Sequence, residues 1–100
     1  MTEPGTKGLQ AAESARERGN KAFNDLDYPK ALKLYGLAVS MYSSEDVGSA
    51  EVRDGLVKTH TNRALIYIKQ GLMEKAEADC DKALSHDPAA AKPRFRRLQV

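Results

Sequence analysis

The stretch GNKAFNDLDYPKALKLYGLAV, Gly19 to Val39, decides how the chain folds. Its left end continues an amphipathic helical pattern that starts near Leu9 and runs to about Asn24. Asp27 then stands as an N-cap, with Pro29 tolerated in the first turn of a second helix that should end near Tyr42. Ala31, Leu34, Tyr35 and Ala38 form an apolar stripe along that second helix. Within the first, Gly19 and Asn20 are out of place, because Gly costs about 1 kcal/mol against Ala in a helix interior and the Asn amide competes for backbone hydrogen bonds. Something other than helix stability must require that pair.

Working outward, SSEDVGS (43–49) is a polar loop, after which Ser49 can cap a third helix carrying Val52, Leu56, Ala64, Leu65, Tyr67 and Ile68. Gly71 is its stop signal. A fourth helix is expected over Met73–His86, closed by Asp87-Pro88 because Pro disfavours helical geometry in the residue before it. A fifth begins near Ala90. Residues 1–8, rich in Gly, Pro and Thr, read as a flexible N-terminal lead-in. No segment alternates like a strand, so the fold class is all-α.

The helices repeat as pairs. Gly19, Ala31 and Ala38 are spaced by 12 and 7 residues, and so are Ala64, Ala76 and Ala83. On that register Phe23 aligns with Ile68, Tyr28 with Met73, Leu34 with Asp79, Tyr35 with Cys80 and Val39 with Leu84. Small residues recurring at fixed intervals mark places where helices cross closely.

Composition narrows the class of function. The chain has 100 residues, 41% of them hydrophobic and 30% charged, as expected of one soluble folded domain. Lys and Arg exceed Asp and Glu by only 2, which gives no global field for nucleic acid or a membrane surface. Cys80 is the only cysteine, so no internal disulfide framework exists and a reducing, cytoplasmic setting is expected. The opening MTEPGTKG lacks the apolar core of a signal peptide, and no long apolar run follows.

GNKAFNDLDYPKALKLYGLAV and NRALIYIKQGLMEKAEADCDKALSHDP (62–88) resemble two tetratricopeptide repeats, whose helix-turn-helix unit has a period of about 34 residues. The resemblance covers roughly residues 12–100 and implies a right-handed stack of antiparallel helix pairs. Its units would be repeat 1 over about 12–43, repeat 2 over about 57–90 and a truncated repeat 3 over about 91–100. Two departures stand out: Ala31 and Ala76 lie 45 residues apart, about 11 more than the period, and Ser43 replaces the closing Pro of the first copy. A loop or helix extension over about 44–56 must absorb the excess. A third unit begun but not finished suggests a fragment, a short isoform, or self-association through the C-terminal end.

In this family the first helices of successive units line a concave groove. Gly19 would let the paired helix approach near Ala31 and Ala38. Arg16 and Asn20, one turn apart, would face the groove, as would Asn62 on the third helix and the pair Lys92 and Arg96 on the fifth. These five are similar to the dicarboxylate clamp of co-chaperones, with Arg16 where a Lys is usual. The resemblance implies that they grip the Glu-Glu-Val-Asp tail of a heat-shock chaperone of the seventy- or ninety-kilodalton class. Lys69 matches an assisting groove Lys, and Phe23 and Ile68 would offer an apolar surface upstream or simply pack between helices. The alternative is a generic scaffold that binds another peptide or helix in the groove, or a targeting module cut from a larger enzyme.

Other chemistry is not expected. His60 and His86 have no ligand-type residues at metal spacing and read as surface or packing. Cys80 reads as a buried, inert thiol. Glu74, Glu77, Asp79 and Asp81 read as the solvated face of the fourth helix. KPRFRR (92–97) is basic around one aromatic, but the rest of the chain is near neutral, which argues against nucleic acid. No phosphate loop or nucleophile motif appears, so neither catalysis nor a cofactor is expected.

Overall fold

The computed structural model describes residues 4–90 and 92–93. Among them every regular element is a helix: α1 Pro4–Asn24, α2 Tyr28–Ser43, α3 Ala50–Lys69 and α4 Met73–His86. Consecutive helices run antiparallel, α1 against α2 and α3 against α4, and α3 also touches both helices of the first pair. The expected stack of helix pairs is what forms. Lys92 and Pro93 are helical as well, where a fifth helix is expected.

The two pairs are copies down to their turns. At the end of α1, Asp27 N donates to Ala22 O (2.9 Å) and Leu26 N to Phe23 O (2.9 Å). Forty-five residues on, Leu72 N donates to Tyr67 O (2.8 Å) and Gly71 N to Ile68 O (3.0 Å). Both ends are the same closing motif, in which a left-handed residue lets two later N–H groups reach back to orphan carbonyls. That residue is Leu26 (φ 63°) in one turn and Gly71 (φ 76°) in the other. Asp27 then caps α2, its side chain accepting from Lys30 N at 3.3 Å.

The excess residues between the copies do not loop out. After a short loop they become the first turns of α3, because Val52 and Leu56, one turn apart, bury themselves with Ala12, Ala15, Ala38 and Tyr42 at one end of the molecule. Burial of a side chain such as Leu56 contributes about 1.5–3 kcal/mol. A second cluster, Ala22, Ala31, Leu34, Tyr35 and Ile66, fills the centre, with Phe23, Tyr28 and Leu32 packed against it.

Two expectations are corrected, the flexible lead-in and the solvated face of the fourth helix. The lead-in expected over residues 1–8 is helical from Pro4, since a Pro in the first turn lacks only an N–H that no helix could pair. In α3 the fully buried large residue beside Ala64 is Ile66, whereas Leu65, Tyr67 and Ile68 are only half-buried. Asp79 is no part of a solvated face. It is 3% exposed, on the side of α4 turned to α3.

Gly19 permits a close approach of α2, but the nearest group is the Tyr35 ring rather than Ala31 or Ala38. A Cβ there would lie 2.7 Å from Cδ1 and Cε1 of Tyr35, so the missing side chain is the space the Tyr35 ring occupies. Cys80 is fully buried at the equivalent place in the second pair.

Candidate peptide-binding groove

Asn20 and Asn62 meet across the α1–α3 contact. Asn62 Nδ2 donates to Asn20 Oδ1 at 3.1 Å, and the same oxygen accepts the Tyr35 hydroxyl at 2.6 Å. An amide oxygen has two lone pairs, so both acceptor sites of Asn20 are taken. Its Nδ2, a donor of two hydrogens, has no hydrogen-bond partner among the described residues.

One turn earlier on the same face, Arg16 Nε donates to the Tyr42 hydroxyl at 3.1 Å, and its Nη2 lies 3.5 Å from Glu13. The Arg16 side chain is 14% exposed. Burial works against its charge, but the Tyr42 hydrogen bond and the nearby Glu13 and Glu17 outweigh it and hold the guanidinium above its ordinary value. Burial also pushes the hydroxyls of Tyr35 and Tyr42 up, so both are neutral and carry their protons at neutral pH. Tyr35 and Tyr42 lie seven residues apart on one stripe of α2, each reaching from the core to a polar residue of α1.

The remaining sequence-predicted residues are placed as follows. Phe23 is half-buried against the central cluster, its ring 5.9 Å from that of Tyr28. Ile68 is half-buried and Lys69 exposed in the last turn of α3, where a cation also favours the helix dipole. Lys92 is exposed. Arg96 lies outside the described residues. The structure thus brings Arg16, Asn20 and Asn62 together on the α1–α3 side.

Sequence reasoning missed a second polar cluster, built on Asp79 between α3 and α4. Arg63 Nε donates to its Oδ2 and Nη2 to its Oδ1, both at 2.8 Å, while His60 Nδ1 lies 2.8 Å from Oδ1. An ionised carboxylate only accepts, so His60 carries its hydrogen on Nδ1. Burial alone would raise the Asp79 carboxyl, but the hydrogen bonds from His60 and Arg63 dominate and hold it below the usual carboxylate range. The His60 ring stacks on that of His86, centroids 6.4 Å apart. His86 is pushed below its ordinary value by burial and by the neighbouring His60, Lys82 and Arg53. Both Asp79 oxygens are occupied and the carboxylate faces inward, which suits the cluster to join two helices. One signal could have exposed it: the repeat register aligns Asp79 with Leu34, a buried position.

The family model of the tetratricopeptide repeat matches residues 57–89. Zinc finger CCCH domain-containing protein 7B of Homo sapiens is 38% identical over 94 residues, which is 92% of this chain and 10% of that protein. Sperm-associated antigen 1 of Homo sapiens is 31% identical over 96 residues, 96% of this chain and 10% of that protein. Mitochondrial import receptor subunit TOM34 of Homo sapiens is 32% identical over 90 residues, 90% of this chain and 28% of that protein. The chain therefore spans between 10% and 28% of the length of these relatives. Residues 57–89 form a tetratricopeptide repeat, a protein-interaction module, and stacks of such repeats present concave surfaces to other proteins.

Proposed function

We propose that this chain, with its tetratricopeptide repeat, is a non-catalytic adaptor whose α1–α3 face takes the acidic C-terminal tail of a heat-shock chaperone of the seventy- or ninety-kilodalton class. The observation that carries the reading is the doubly occupied Asn20 oxygen. With Oδ1 satisfied from within, Asn20 offers only N–H groups outward, and the Arg16 guanidinium lies one turn away on the same face. A C-terminal Asp presents two carboxylates close together, each able only to accept. An amide whose own oxygen is already occupied suits such a ligand and repels a partner that must donate.

Lys69 and Lys92, both exposed, would add cations along the groove, and Arg96 joins them on the strength of the sequence resemblance. Each charge-assisted hydrogen bond contributes about 1.5–3 kcal/mol, less where solvent reaches it. Three or four of them, net of the ordering of the tail, correspond to affinity of about micromolar order.

Calorimetric titration with a peptide ending in Glu-Glu-Val-Asp, free or amidated at its C-terminus, tests the reading. Wild type should bind the free acid, lose at least about tenfold on amidation, and lose a similar factor in Asn20→Ala or Arg16→Ala. Equal affinity for the two peptides would sink the carboxylate reading and leave a groove that binds some other segment.

A further inference from the structure

We propose that Tyr35, buried on α2, is a positioning residue that fixes which way the Asn20 amide faces and so makes the groove selective for acceptor ligands. This rests on the carboxylate-binding reading above. An Asn amide is nearly symmetric in shape, and turning it by half a revolution exchanges an acceptor for two donors. On an exposed helix face nothing prevents that exchange, and a groove lined by such an amide would serve donors and acceptors alike.

Here the exchange is blocked from behind. The Tyr35 ring is 1% exposed and wedged against Gly19, so its hydroxyl has one direction in which to point. That hydroxyl donates to Asn20 Oδ1 at 2.6 Å. A reversed amide would set Nδ2 against Asn62 Nδ2, donor facing donor, and would take from the Tyr35 hydroxyl the oxygen that accepts its proton. The Asn62 amide can turn to repair its own contact. Tyr35 can rotate its O–H to accept from the turned amide, but its proton must then find a new acceptor, and a buried hydroxyl left without one costs about 1–3 kcal/mol. The helix-weak Gly19-Asn20 pair is explained as one device: Gly19 admits the ring and Asn20 receives its hydroxyl.

Tyr35→Phe removes only the oxygen and leaves the packed ring. Urea denaturation and circular dichroism would establish that the variant is folded. In titrations with the free and amidated Glu-Glu-Val-Asp peptides, Tyr35→Phe should bind the free acid about 2- to 10-fold more weakly and show a smaller ratio of free-acid to amide affinity. A merely structural tyrosine would leave that ratio unchanged, and an unchanged ratio overturns the proposal. If wild type binds neither peptide, the functional reading fails by itself, and the positioning role is read from nuclear relaxation of the Asn20 side-chain amide in the free protein. That amide should be as rigid as the backbone in wild type and mobile in Tyr35→Phe. Equal order in the two proteins overturns the role of Tyr35.

Discussion

Replacing Gly19 by Ala should destabilise the protein, although the same change at another mid-helix glycine should stabilise it. A Cβ on Gly19 would sit 2.7 Å from two ring carbons of Tyr35. The ring cannot retreat, because it is buried in the central cluster and tied to Asn20. Such overpacking costs about 1–3 kcal/mol. Against this stands a helix-propensity gain of about 1 kcal/mol, so the net loss is about 1 kcal/mol. Gly36, in the middle of α2, is the control: a Cβ there meets only Arg63 Nη1, at an ordinary 3.8 Å. Gly36→Ala should therefore keep the full gain of about 1 kcal/mol. The difference between the variants cancels propensity and isolates the steric effect. Urea denaturation gives both values, and in a domain of this size 1 kcal/mol moves Tm by about 4–8 °C. If Gly19→Ala stabilises as much as Gly36→Ala, the close approach of Tyr35 is wrong.

Two further predictions concern the cluster on α4. Asp79→Asn should cost about 3 kcal/mol in urea denaturation, the low end for breaking a buried pair because the Arg63 side chain is 21% exposed; a loss under 0.5 kcal/mol, the range of ordinary surface changes, would mean that Asp79 is solvated after all. His86 gives a pH dependence: its folded-state value is depressed, so between that value and the ordinary one near 6.5 the unfolded chain holds more protons, and stability present above pH 6.5 is lost as pH falls through that window. The urea midpoint of wild type should drop from pH 7.5 to 5, and that of His86→Gln should drop less. Parallel curves would exclude His86 as the source.

How far the sequence can be read depends on what sets each feature. Where local chemistry decides, the reading was close: Asp27 and Pro29 start α2, Gly71 closes the turn after α3, and Asp87-Pro88 ends α4 at His86. The 12-and-7 spacing of small residues announced the paired helices, and the structure repeats it down to individual turn hydrogen bonds. What stayed hidden depends on side chains meeting across helices. Asp79 carries a charge and so reads as surface; only Arg63 and His60, sixteen and nineteen residues earlier, make its burial tolerable. Tyr35 is legible as part of an apolar stripe and Tyr42 only as the end of the second helix, and periodicity does not say where a hydroxyl ends. The course of the excess residues was equally open, because Val52 and Leu56 extend α3 only when the first pair is there to cover them.

The exchange of Leu34 in the first pair for Asp79 in the second gives the two halves different thermal characters. The first pair is held chiefly by apolar burial, whose driving force weakens on cooling. In the second, the cost of stripping water from ions falls as temperature rises. Cooling therefore weighs more on the contacts of the first pair than on the ion cluster of the second, and warming does the reverse, so that a short stack of repeated units carries a thermal polarity along its axis.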